Sequence, residues 1–501
     1  MKLRFFSFFA GCLLIASSFA AQPDRVLFDF ESGTFDGWQV EGKETFGKAP
    51  FKAAAEVPQW GAHRSFTGWQ GKYIVIVGDT RHGITSPGKL TSDEFTITHR
   101  YLKFLYGGEV HPRVKVYLLL DGKPVRTAYG NNSYDMRLRG WDVREFKGRK
   151  ARLVIEDTSE TASLVRLDYF HLSDTPPPKV GAFDQSAQES DLVRYGELKP
   201  LYDPGIGLCL VSHSIVKGLD GKWHIFATLA KVRDRYKPEN HREIIHLTAN
   251  KLTGPWTKQP DGLTADAKFG EQFMWDPFVV LHNGLYHLFY VGAGKHWKGW
   301  QDCGNQTPPA FYKGKGMCGE HGPFELRLAV SRDGVNWERK GTVLTDGPFG
   351  FTPFIHRLGD KWQMFYASAD PPTTSGKHAI VSRTSSELLT WGERSISLKD
   401  ESKTTPWPEH SFFHSPVVLK RGAQWYLLAG PIDNANQSRF HYLKIYRSDN
   451  SSRWDFQQNN KGLFLDGGAK IIRDDDGKEY VTHAGLYAGG VWLAPLYWNV
   501  K

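Results

Sequence analysis

Short apolar runs alternate with turns along most of the chain, and the clearest unit begins at Asp276. Four apolar residues at 278–281 are followed by Asn283-Gly284 and by the aromatic-rich run 286–290. Asn-Gly between two such runs is the strongest short-range signal of a β-hairpin. The pattern therefore predicts two antiparallel strands joined by a tight turn, with Asp276 at the start of the first strand.

The same unit occurs five times after residue 190. Each copy has an apolar strand, a turn rich in Gly and Asp, and an aromatic-rich return strand. A second hairpin with a tryptophan in phase follows four of the copies, and these tryptophans are predicted to pack between repeats. Two hairpins per repeat make a four-stranded blade, so the repeats predict a five-bladed β-propeller over residues 191–501. The return strands align on Lys222, Leu285, Lys361, Gln424 and Lys478, and the phased tryptophans are Trp256, Trp337, Trp391 and Trp454.

The region 25–175 has short β-like runs and turns but no helical period, which predicts a β-sandwich. Asp121-Gly122 is a hairpin turn within it. The proline run at 176–178 opens a stiff linker, 176–190, before the repeats. The whole chain is therefore predicted to be all-β, with an N-terminal sandwich followed by the propeller. Trp38, Trp60 and Trp69 are candidates for stacking on sugars, although buried sandwich tryptophans are commoner.

Composition adds a cellular location. Residues 1–20 have a basic start, an apolar core and small residues near the end, which predicts a secretory signal peptide and a secreted or periplasmic protein. No later stretch is apolar enough to span a bilayer. Without Lys2 and Arg4 the net charge falls from +9 to +7. That charge suits acidic polymers, and a solvated basic surface explains it equally well.

Other motifs limit the chemistry. No phosphate-binding loop, dinucleotide fingerprint or closely spaced Cys/His set is present, so nucleotide-dependent chemistry, structural zinc and nucleic-acid binding are not supported. Cys303 and Cys318 flank a Gly/Pro-rich loop, and a disulfide between them is one open possibility, which would leave Cys209 as a buried thiol. Three carboxylates could meet where the first and last sandwich strands pair and bind calcium through hard oxygen ligands. They are Asp29, Glu31 and Asp168.

The first residues of the propeller repeats are the candidate site. Innermost strands of a propeller begin at the central channel, so the opening residues converge on one pocket, and pockets built from several loops are where ligands bind. Asp276 alone among these openers carries a carboxylate. The aligned openers are His213, Asp276, Thr352, Ser415 and Ala469.

The repeats, with NGLYHLFY, DGKWHIFAT and LTGPWTK, resemble the superfamily of glycoside hydrolase families 43, 62 and 32. The first region, with FDFESGTFDGWQVEGKETFG and LLLDGKPVRTAYG, resembles the β-sandwich module that precedes the propeller in levanase-like fructan hydrolases. The resemblance implies an ionised carboxylate as base or nucleophile, an orienting aspartate, and a glutamate that protonates the leaving oxygen. An oxocarbenium-like transition state needs such a pair of carboxyl groups.

Carried over residue by residue, Asp276-Pro277 matches the family's Asp-Pro entrance, although it stands in the second blade. The resemblance then implies Asp276 as base and Glu409 as acid. His213 and His414 stand where the family has carboxylates in blades one and four. These histidines either bind hydroxyl groups and tune pKa values, or do acid–base work themselves. The predicted substrate-binding residues are Asp203, Arg242, Trp275, Thr352, His410 and His483, and His241, Arg439 and His441 are further candidates for the mouth.

These inferences favour a monomeric, exo-acting glycosidase that releases a furanose such as L-arabinofuranose from plant or algal polysaccharide fragments. No cofactor is required in this interpretation, although the resemblance implies a calcium ion in the channel near His483. One alternative is a polysaccharide lyase on uronic-acid glycans, because the channel entrance is rich in histidine and lacks the blade-four glutamate. Another is a non-catalytic glycan-binding propeller, because the acidic triad is incomplete and a fold does not fix a function.

Overall fold

The computed structural model describes residues 22–499 except for a set of internal segments. Within the described residues helices are confined to four single turns: α1 (Lys43–Phe46), α2 (Ala53–Glu56) and two 3₁₀ turns, Arg144–Phe146 and Ala267–Phe269. None of the described helices is long and apolar enough to cross a membrane. The segments left out are 57–65, 78–86, 109, 131–132, 160–164, 180–191, 232–239, 261, 272, 294–323, 348–350, 373–376, 400, 402–412, 431–442, 458–461, 464–467 and 485–488.

Twelve described strands between residues 25 and 173 form two antiparallel sheets that pack on one core. They are β1 (Arg25–Phe28), β2 (Trp38–Glu41), β3 (Phe51–Lys52), β4 (Tyr73–Val77), β5 (Gly88–Ser92), β6 (Phe95–Thr96), β7 (Tyr101–Gly108), β8 (Val114–Leu120), β9 (Lys123–Ala128), β10 (Ser133–Asp142), β11 (Lys150–Asp157) and β12 (Val165–Ser173). One sheet has the order β10-β7-β12-β4-β3 with β1 on β12. The other has the order β2-β5-β11-β8-β9 with β6 on β11. This is the predicted β-sandwich.

The side chains of β8 alternate between a face that packs on the core and a face that is partly exposed to solvent. Along this strand buried and half-buried residues alternate without a break, as the two-residue period of a pleated strand requires. Asp121 and Gly122 have φ values of 48° and 75°, the left-handed conformation of a two-residue hairpin turn, and they join β8 to β9 as predicted.

Trp38 is part of the sandwich core. It is 8% exposed, and its ring lies 4.9 Å from that of Phe28, 5.6 Å from that of Phe30 and 5.9 Å from that of Phe170. The suggestion that Trp38 stacks on sugars is therefore wrong, because the ring is enclosed by other aromatic rings. Trp69 packs edge-on against Phe66 at 5.3 Å. Trp60 lies outside the described residues.

The strands after residue 190 form five antiparallel sheets, which we number as blades 1 to 5. Blade 1 contains β15 (Leu208–Lys217), β16 (Trp223–Lys231), β17 (Glu243–Ala249), β18 (Thr257–Lys258) and β19 (Leu263–Thr264). Blade 2 contains β20 (Met274–His282), β21 (Leu285–Ala293), β22 (Phe324–Ser331) and β23 (Glu338–Gly347). Blade 3 contains β24 (Phe354–Leu358), β25 (Lys361–Asp370), β26 (Lys377–Ser385) and β27 (Ser395–Lys399).

Blade 4 contains β28 (His414–Arg421), β29 (Gln424–Gly430), β30 (Leu443–Ser448) and β31 (Gly462–Leu463). Blade 5 is built from both ends of this region. Its strands β32 (Lys470–Arg473), β33 (Glu479–Ala484) and β34 (Val491–Trp498) are joined by β13 (Val193–Tyr195) and β14 (Lys199–Tyr202), which both pair with β34. The first strands of successive blades are neighbours around a common axis. The five sheets are thus the predicted propeller, and the β13–β14 segment closes it.

The phased tryptophans pack between blades, as predicted. Trp337 of blade 2 lies 5.6 Å from Phe226 of blade 1, measured between ring centres. Trp391 of blade 3 lies 6.0 Å from Phe289 of blade 2. Trp454 of blade 4 repeats the contact with Phe365 of blade 3 at 5.7 Å. Each tryptophan therefore contacts the second strand of the preceding blade at an equivalent position, which fixes the spacing between blades.

Strand register corrects the predicted opening residues in two blades. The Asn283-Gly284 turn of blade 2 has two residues, whereas three residues separate Gly218 from Lys222 in blade 1. Blade 5 has the same longer turn between Asp474 and Lys478. An extra turn residue moves the first strand by one position relative to the second. The residues equivalent to Asp276 are therefore Ser212 in blade 1 and Gly468 in blade 5, in place of His213 and Ala469.

The sandwich contacts the propeller through blade 5 and the segment before blade 1. Arg113 of the sandwich makes two hydrogen bonds to the carboxylate of Asp203, at 3.0 and 2.8 Å. Tyr129 packs edge-on against Trp492 of β34 with ring centres 5.2 Å apart, and Val110 joins the hydrophobic cluster of blade 5. The two regions therefore share a packed interface.

Candidate active site in the propeller channel

Four hydrogen bonds connect the five openers, which we call the ring, in succession from blade 1 to blade 5. In each of the four the backbone N–H of one opener donates to the side chain of the preceding blade's opener. Asp276 donates to Ser212 Oγ at 3.0 Å, and Ser415 donates to Thr352 Oγ1 at 3.0 Å. Gly468 donates to Ser415 Oγ at 2.9 Å, and the N–H of Thr352 donates to the Asp276 carboxylate. Ser, Asp and Thr at these positions are thus explained by the need for an acceptor beside the axis.

The backbone conformation of the openers directs their N–H groups into these hydrogen bonds. Asp276, Thr352 and Ser415 have φ values of 48°, 42° and 49°, and Gly468 has 84°. Non-glycine residues rarely adopt the left-handed region, and a β-branched residue such as threonine does so at an added cost. The strand pairing is interrupted by a bulge at the openers of blades 2 and 4. The bulge and the positive φ turn each N–H toward the neighbouring blade, so the strain is offset by the ring.

The openers of blades 5 and 1 meet through a close contact of their backbones. A Cβ atom built on Gly468 would lie 3.8 Å from the Cα of Ser212. Gly468 is thus in contact with the opener of blade 1, although it has no side chain that could accept a hydrogen bond. The five openers therefore surround the axis and define the upper end of the channel.

Asp276 is the charged member of this ring. Its side chain is half-buried, and removal from water raises the pKa of the carboxyl group. Three neighbours oppose that rise: the charge of Lys470, the hydroxyl of Ser212 and the N–H of Thr352. Burial is the largest of these effects, so the pKa is above its usual value. The carboxylate is consequently a better proton acceptor than a surface aspartate while it stays within reach of the channel.

Lys470 shares the channel with Asp276 and was missed by sequence reasoning. It is the second residue after the blade 5 opener, on β32. Its Nζ lies 5.1 Å from the centre of the Phe278 ring in blade 2. Burial lowers the pKa of this amine to about 8, and the charge of Asp276 limits the fall. Lys470 is therefore mainly protonated at neutral pH.

His213 and His483 form a buried histidine pair between blades 1 and 5. His213 is 1% exposed, and its Nε2 lies 2.7 Å from the hydroxyl of Thr482. Burial lowers the pKa of His213 well below its usual value, and the charges of Lys470 and His483 lower it further. His213 is therefore neutral. Its Nδ1 is buried without a hydrogen-bond partner in the described part of the chain.

His414 and Trp275 precede the openers of blades 4 and 2. His414 is 2% exposed, its Nδ1 lies 3.1 Å from Ser415 Oγ, and its ring covers the backbone of Gly430. Trp275 is half-buried and packs 4.1 Å from Phe273 and 5.4 Å from His241, between ring centres. Both side chains therefore pack next to the openers and contact neighbouring residues.

Two predicted binding residues lie in other contacts. The Asp203 carboxylate is held by Arg113 at the interface with the sandwich, so the structure does not bring it into the ring. Arg242 is exposed and donates to the carbonyl oxygen of Ala265 at 3.1 Å. Neither side chain is among the groups that surround Asp276.

Several predicted residues lie outside the described part of the chain. They include the candidate acid Glu409 and the candidate binding residue His410. The same holds for Arg439 and His441 and for the Cys303/Cys318 pair. Cys209, in contrast, is described and is a buried thiol whose Sγ lies 3.7 Å from the carbonyl oxygen of Ala230.

The carboxylates of Glu31 and Asp168, which were predicted as oxygen ligands for calcium in the sandwich, accept backbone hydrogen bonds. Glu31 Oε1 accepts the N–H groups of Lys72 at 2.8 Å and Tyr73 at 3.0 Å. Asp168 Oδ2 accepts the N–H of Gln70 at 2.9 Å, and burial raises the pKa of Asp168 to about 7, with smaller contributions from Glu31 and Asp29. These carboxylates tie the 70–73 segment to the first and last strands. The described residues include no group of three His, Cys, Asp or Glu side chains placed to hold a metal ion.

Comparisons with known proteins show that this chain is similar in sequence to two hydrolases that act on sugars or are named as glycosyl hydrolases. It is 27% identical over 159 residues to a protein from Aspergillus rugulosus named "Putative glycosyl hydrolase ecdE", covering 30% of this chain and 21% of that protein. It is 25% identical over 208 residues to the sucrose-6-phosphate hydrolase of Escherichia coli, covering 40% of this chain and 38% of that enzyme. The chain thus spans well under half the length of both relatives. No family model matches it.

Among solved structures, a thermostable family-43 glycoside hydrolase is 13% identical, with a TM-score of 0.42, over 59% of this chain and 91% of that one. The names of the two sequence relatives agree with the resemblance to glycoside hydrolases that the repeat motifs indicated. The assignment of a five-bladed propeller follows from the strand pairing of this chain itself.

Proposed function

We propose that this protein is a glycoside hydrolase with its active site at the channel end ringed by the five openers. The observation that carries the proposal is the position of Asp276, whose carboxylate lies where the five blades converge, beside Lys470. Only one opener has a carboxylate, and it is held by Ser212 and Thr352 in a defined orientation. The glycosyl hydrolase names of the two relatives support the same reaction class.

In this proposal Asp276 is the base or nucleophile. The burial that raises its pKa strengthens it as a proton acceptor, and the charge of Lys470 favours its ionised form. The Thr352 N–H and Ser212 fix the carboxylate, so little reorganisation accompanies the reaction. The proton donor comes from outside the ring, and Glu409 is the residue that the resemblance assigns to this role.

We further propose that the enzyme is exported and acts from the chain end on furanosides such as L-arabinofuranose. The signal-like segment 1–20 supports export. The furanoside preference rests on the resemblance to families that include arabinofuranosidases. A site surrounded by the openers of five blades suits a terminal sugar better than the middle of a polymer.

A screen of the purified protein tests the reaction class. Arabinan, xylan, fructan and uronate-rich glycans are incubated separately, and the products are separated by anion-exchange chromatography while ultraviolet absorbance is recorded. A monosaccharide released from arabinan without new absorbance is the expected result. Binding without any shortened product would instead indicate a non-catalytic glycan-binding propeller.

A lyase on uronic-acid glycans is the second candidate, because of His213 and Lys470. A neutral histidine can take the proton next to a uronate carboxylate, and an ammonium group can neutralise that carboxylate. Each cleavage by a lyase creates a carbon–carbon double bond. Absorbance that rises in step with chain cleavage in the uronate arm of the screen would therefore replace the hydrolase proposal.

A further inference from the structure

Lys470 crosses the channel from one blade to a distant one. Its backbone belongs to β32 of blade 5, paired with Thr482, whereas its Nζ lies 5.1 Å from the ring centre of Phe278 in blade 2. Blade 1 separates these blades on one side, and blades 3 and 4 separate them on the other. The side chain therefore passes beneath the ring of openers and ends near the strand that carries Asp276.

No other blade has a charge at this position. Strand register makes Ser214, Phe278, Phe354 and Val417 the equivalents of Lys470. Three of these side chains are apolar, and the fourth, Ser214, accepts the N–H of Val279 at 2.9 Å. A lysine here is consequently not needed for the strand pairing, and its charge calls for a separate explanation.

Among the described residues, Asp276 is the charged group that acts on the ammonium of Lys470. Asp276 favours its charged form, and the nearby titratable histidines, His213 and His483, are buried, with the pKa of His213 lowered by burial and by the charge of Lys470. No hydrogen bond or ion pair of Nζ occurs with the described residues, apart from the contact with the Phe278 ring. The described part of the channel therefore contains one fixed cation, Lys470, and one fixed anion, Asp276.

The resemblance implies a calcium ion in this channel, and the residues present do not fit one. Calcium takes six to eight oxygen ligands from carboxylates, carbonyl groups and water. Here the described channel offers one carboxylate, already bonded to Thr352 and Ser212, and the space beside it contains a positively charged amine. A second cation would be repelled by Lys470.

We propose that the ammonium of Lys470 is the built-in cation of the channel, which takes the place of a calcium ion and keeps Asp276 ionised. Lys470 acts through Asp276 and is therefore a positioning residue. The proposal concerns the charge state of the channel, and it rests on the proposed function only for an activity readout.

Thermal unfolding of the full chain tests the exclusion of calcium. The expected melting temperature of the wild type is the same, to within about 1 °C, in excess calcium chloride and in excess chelator, because a ligand that does not bind the folded state cannot stabilise it. A rise of several degrees with calcium that is reversed by chelator, and that is lost in Asp276→Asn but kept in Asp168→Asn of the sandwich, would overturn the proposal. Magnesium chloride at equal ionic strength is the control for salt effects.

A double-mutant cycle tests the coupling to Asp276. Wild type, Lys470→Met, Asp276→Asn and the double variant are unfolded with urea at several pH values. The coupling energy should be present between the pKa of Asp276 and about pH 8, where both groups are charged, and should vanish at acid pH. A coupling that does not depend on pH would show a packing role only and would overturn the proposal.

Lys470→Arg separates charge from shape in the same experiments. It keeps a cation in the channel, so the pH-dependent coupling should return. If Lys470→Met fails to fold, Lys470→Arg and Lys470→Gln still allow the comparison. Because these measurements follow unfolding, they give the same answer whether or not the protein hydrolyses glycosides.

Discussion

Replacing Ser415 by alanine should weaken the closure of the propeller. Ser415 is 3% exposed, and its Oγ accepts the N–H of Gly468 at 2.9 Å. Alanine leaves that buried N–H without an acceptor, and an unsatisfied buried donor costs about 1–3 kcal/mol. His414 Nδ1, 3.1 Å from the same oxygen, loses its contact as well. We therefore expect a loss of about 1–3 kcal/mol in the free energy of unfolding.

Urea denaturation followed by tryptophan fluorescence measures this loss, and amide hydrogen exchange locates it. Exchange at Gly468 should accelerate in Ser415→Ala, because its N–H is no longer bonded. Thr352→Ser is the matched control, since serine keeps the hydroxyl that accepts the N–H of Ser415 and changes stability by less than about 0.5 kcal/mol. Equal stability of Ser415→Ala and this control, with unchanged exchange at Gly468, would refute the role of the ring.

Three further predictions concern other parts of the molecule. Trp38→Ala should destabilise the sandwich by about 3–5 kcal/mol, as expected for a buried tryptophan; a fully stable variant with weaker glycan binding would contradict the core assignment. A double-mutant cycle on Arg113→Ala and Asp203→Ala should give up to about 1 kcal/mol of coupling in unfolding free energy, and no coupling would show that the pair is incidental. Because the charge of Lys470 lowers the pKa of Asp276, Lys470→Met should move the acid limb of the activity profile to higher pH and Lys470→Arg should leave it in place; a limb that Lys470→Met leaves unmoved would assign it to another group.

The repeating hairpins could be predicted because their signals are local. Asn283-Gly284 and Asp121-Gly122 have the left-handed φ values that such turns need, and the phased tryptophans contact the preceding blade. Alternation along the strands then decides which side chains face the core. Fold class therefore follows from patterns of fewer than about twenty residues.

The site was harder to predict because its contacts join distant parts of the chain. Lys470 meets the blade 2 strand across the channel, and no local pattern marks that contact. The predicted openers of blades 1 and 5 were one residue too late, and the true openers are Ser212 and Gly468. An alignment on the return strands does not detect the single extra turn residue that these two blades contain. Asp203 was predicted to bind substrate, but its carboxylate pairs with Arg113 of the sandwich.

The structure also gives Asp276 two tasks that an experiment can separate. Its carboxylate is an acceptor in the ring, as the hydroxyl groups of Thr352 and Ser415 are. It is also the only charge among the openers. Asparagine keeps an acceptor oxygen at nearly the same place and removes the charge, so it leaves the ring intact while abolishing the proposed chemistry.

The turnover number of Asp276→Asn relative to the wild type, on the glycan that the screen identifies, is the most direct measurement of the central claim. If Asp276 is the base or nucleophile, turnover should fall by about 10²–10⁴-fold while the melting temperature and substrate binding change little. A variant that folds normally and hydrolyses the glycan at close to the wild-type rate would contradict the claim, and Asp276 would then be a structural member of the ring alone.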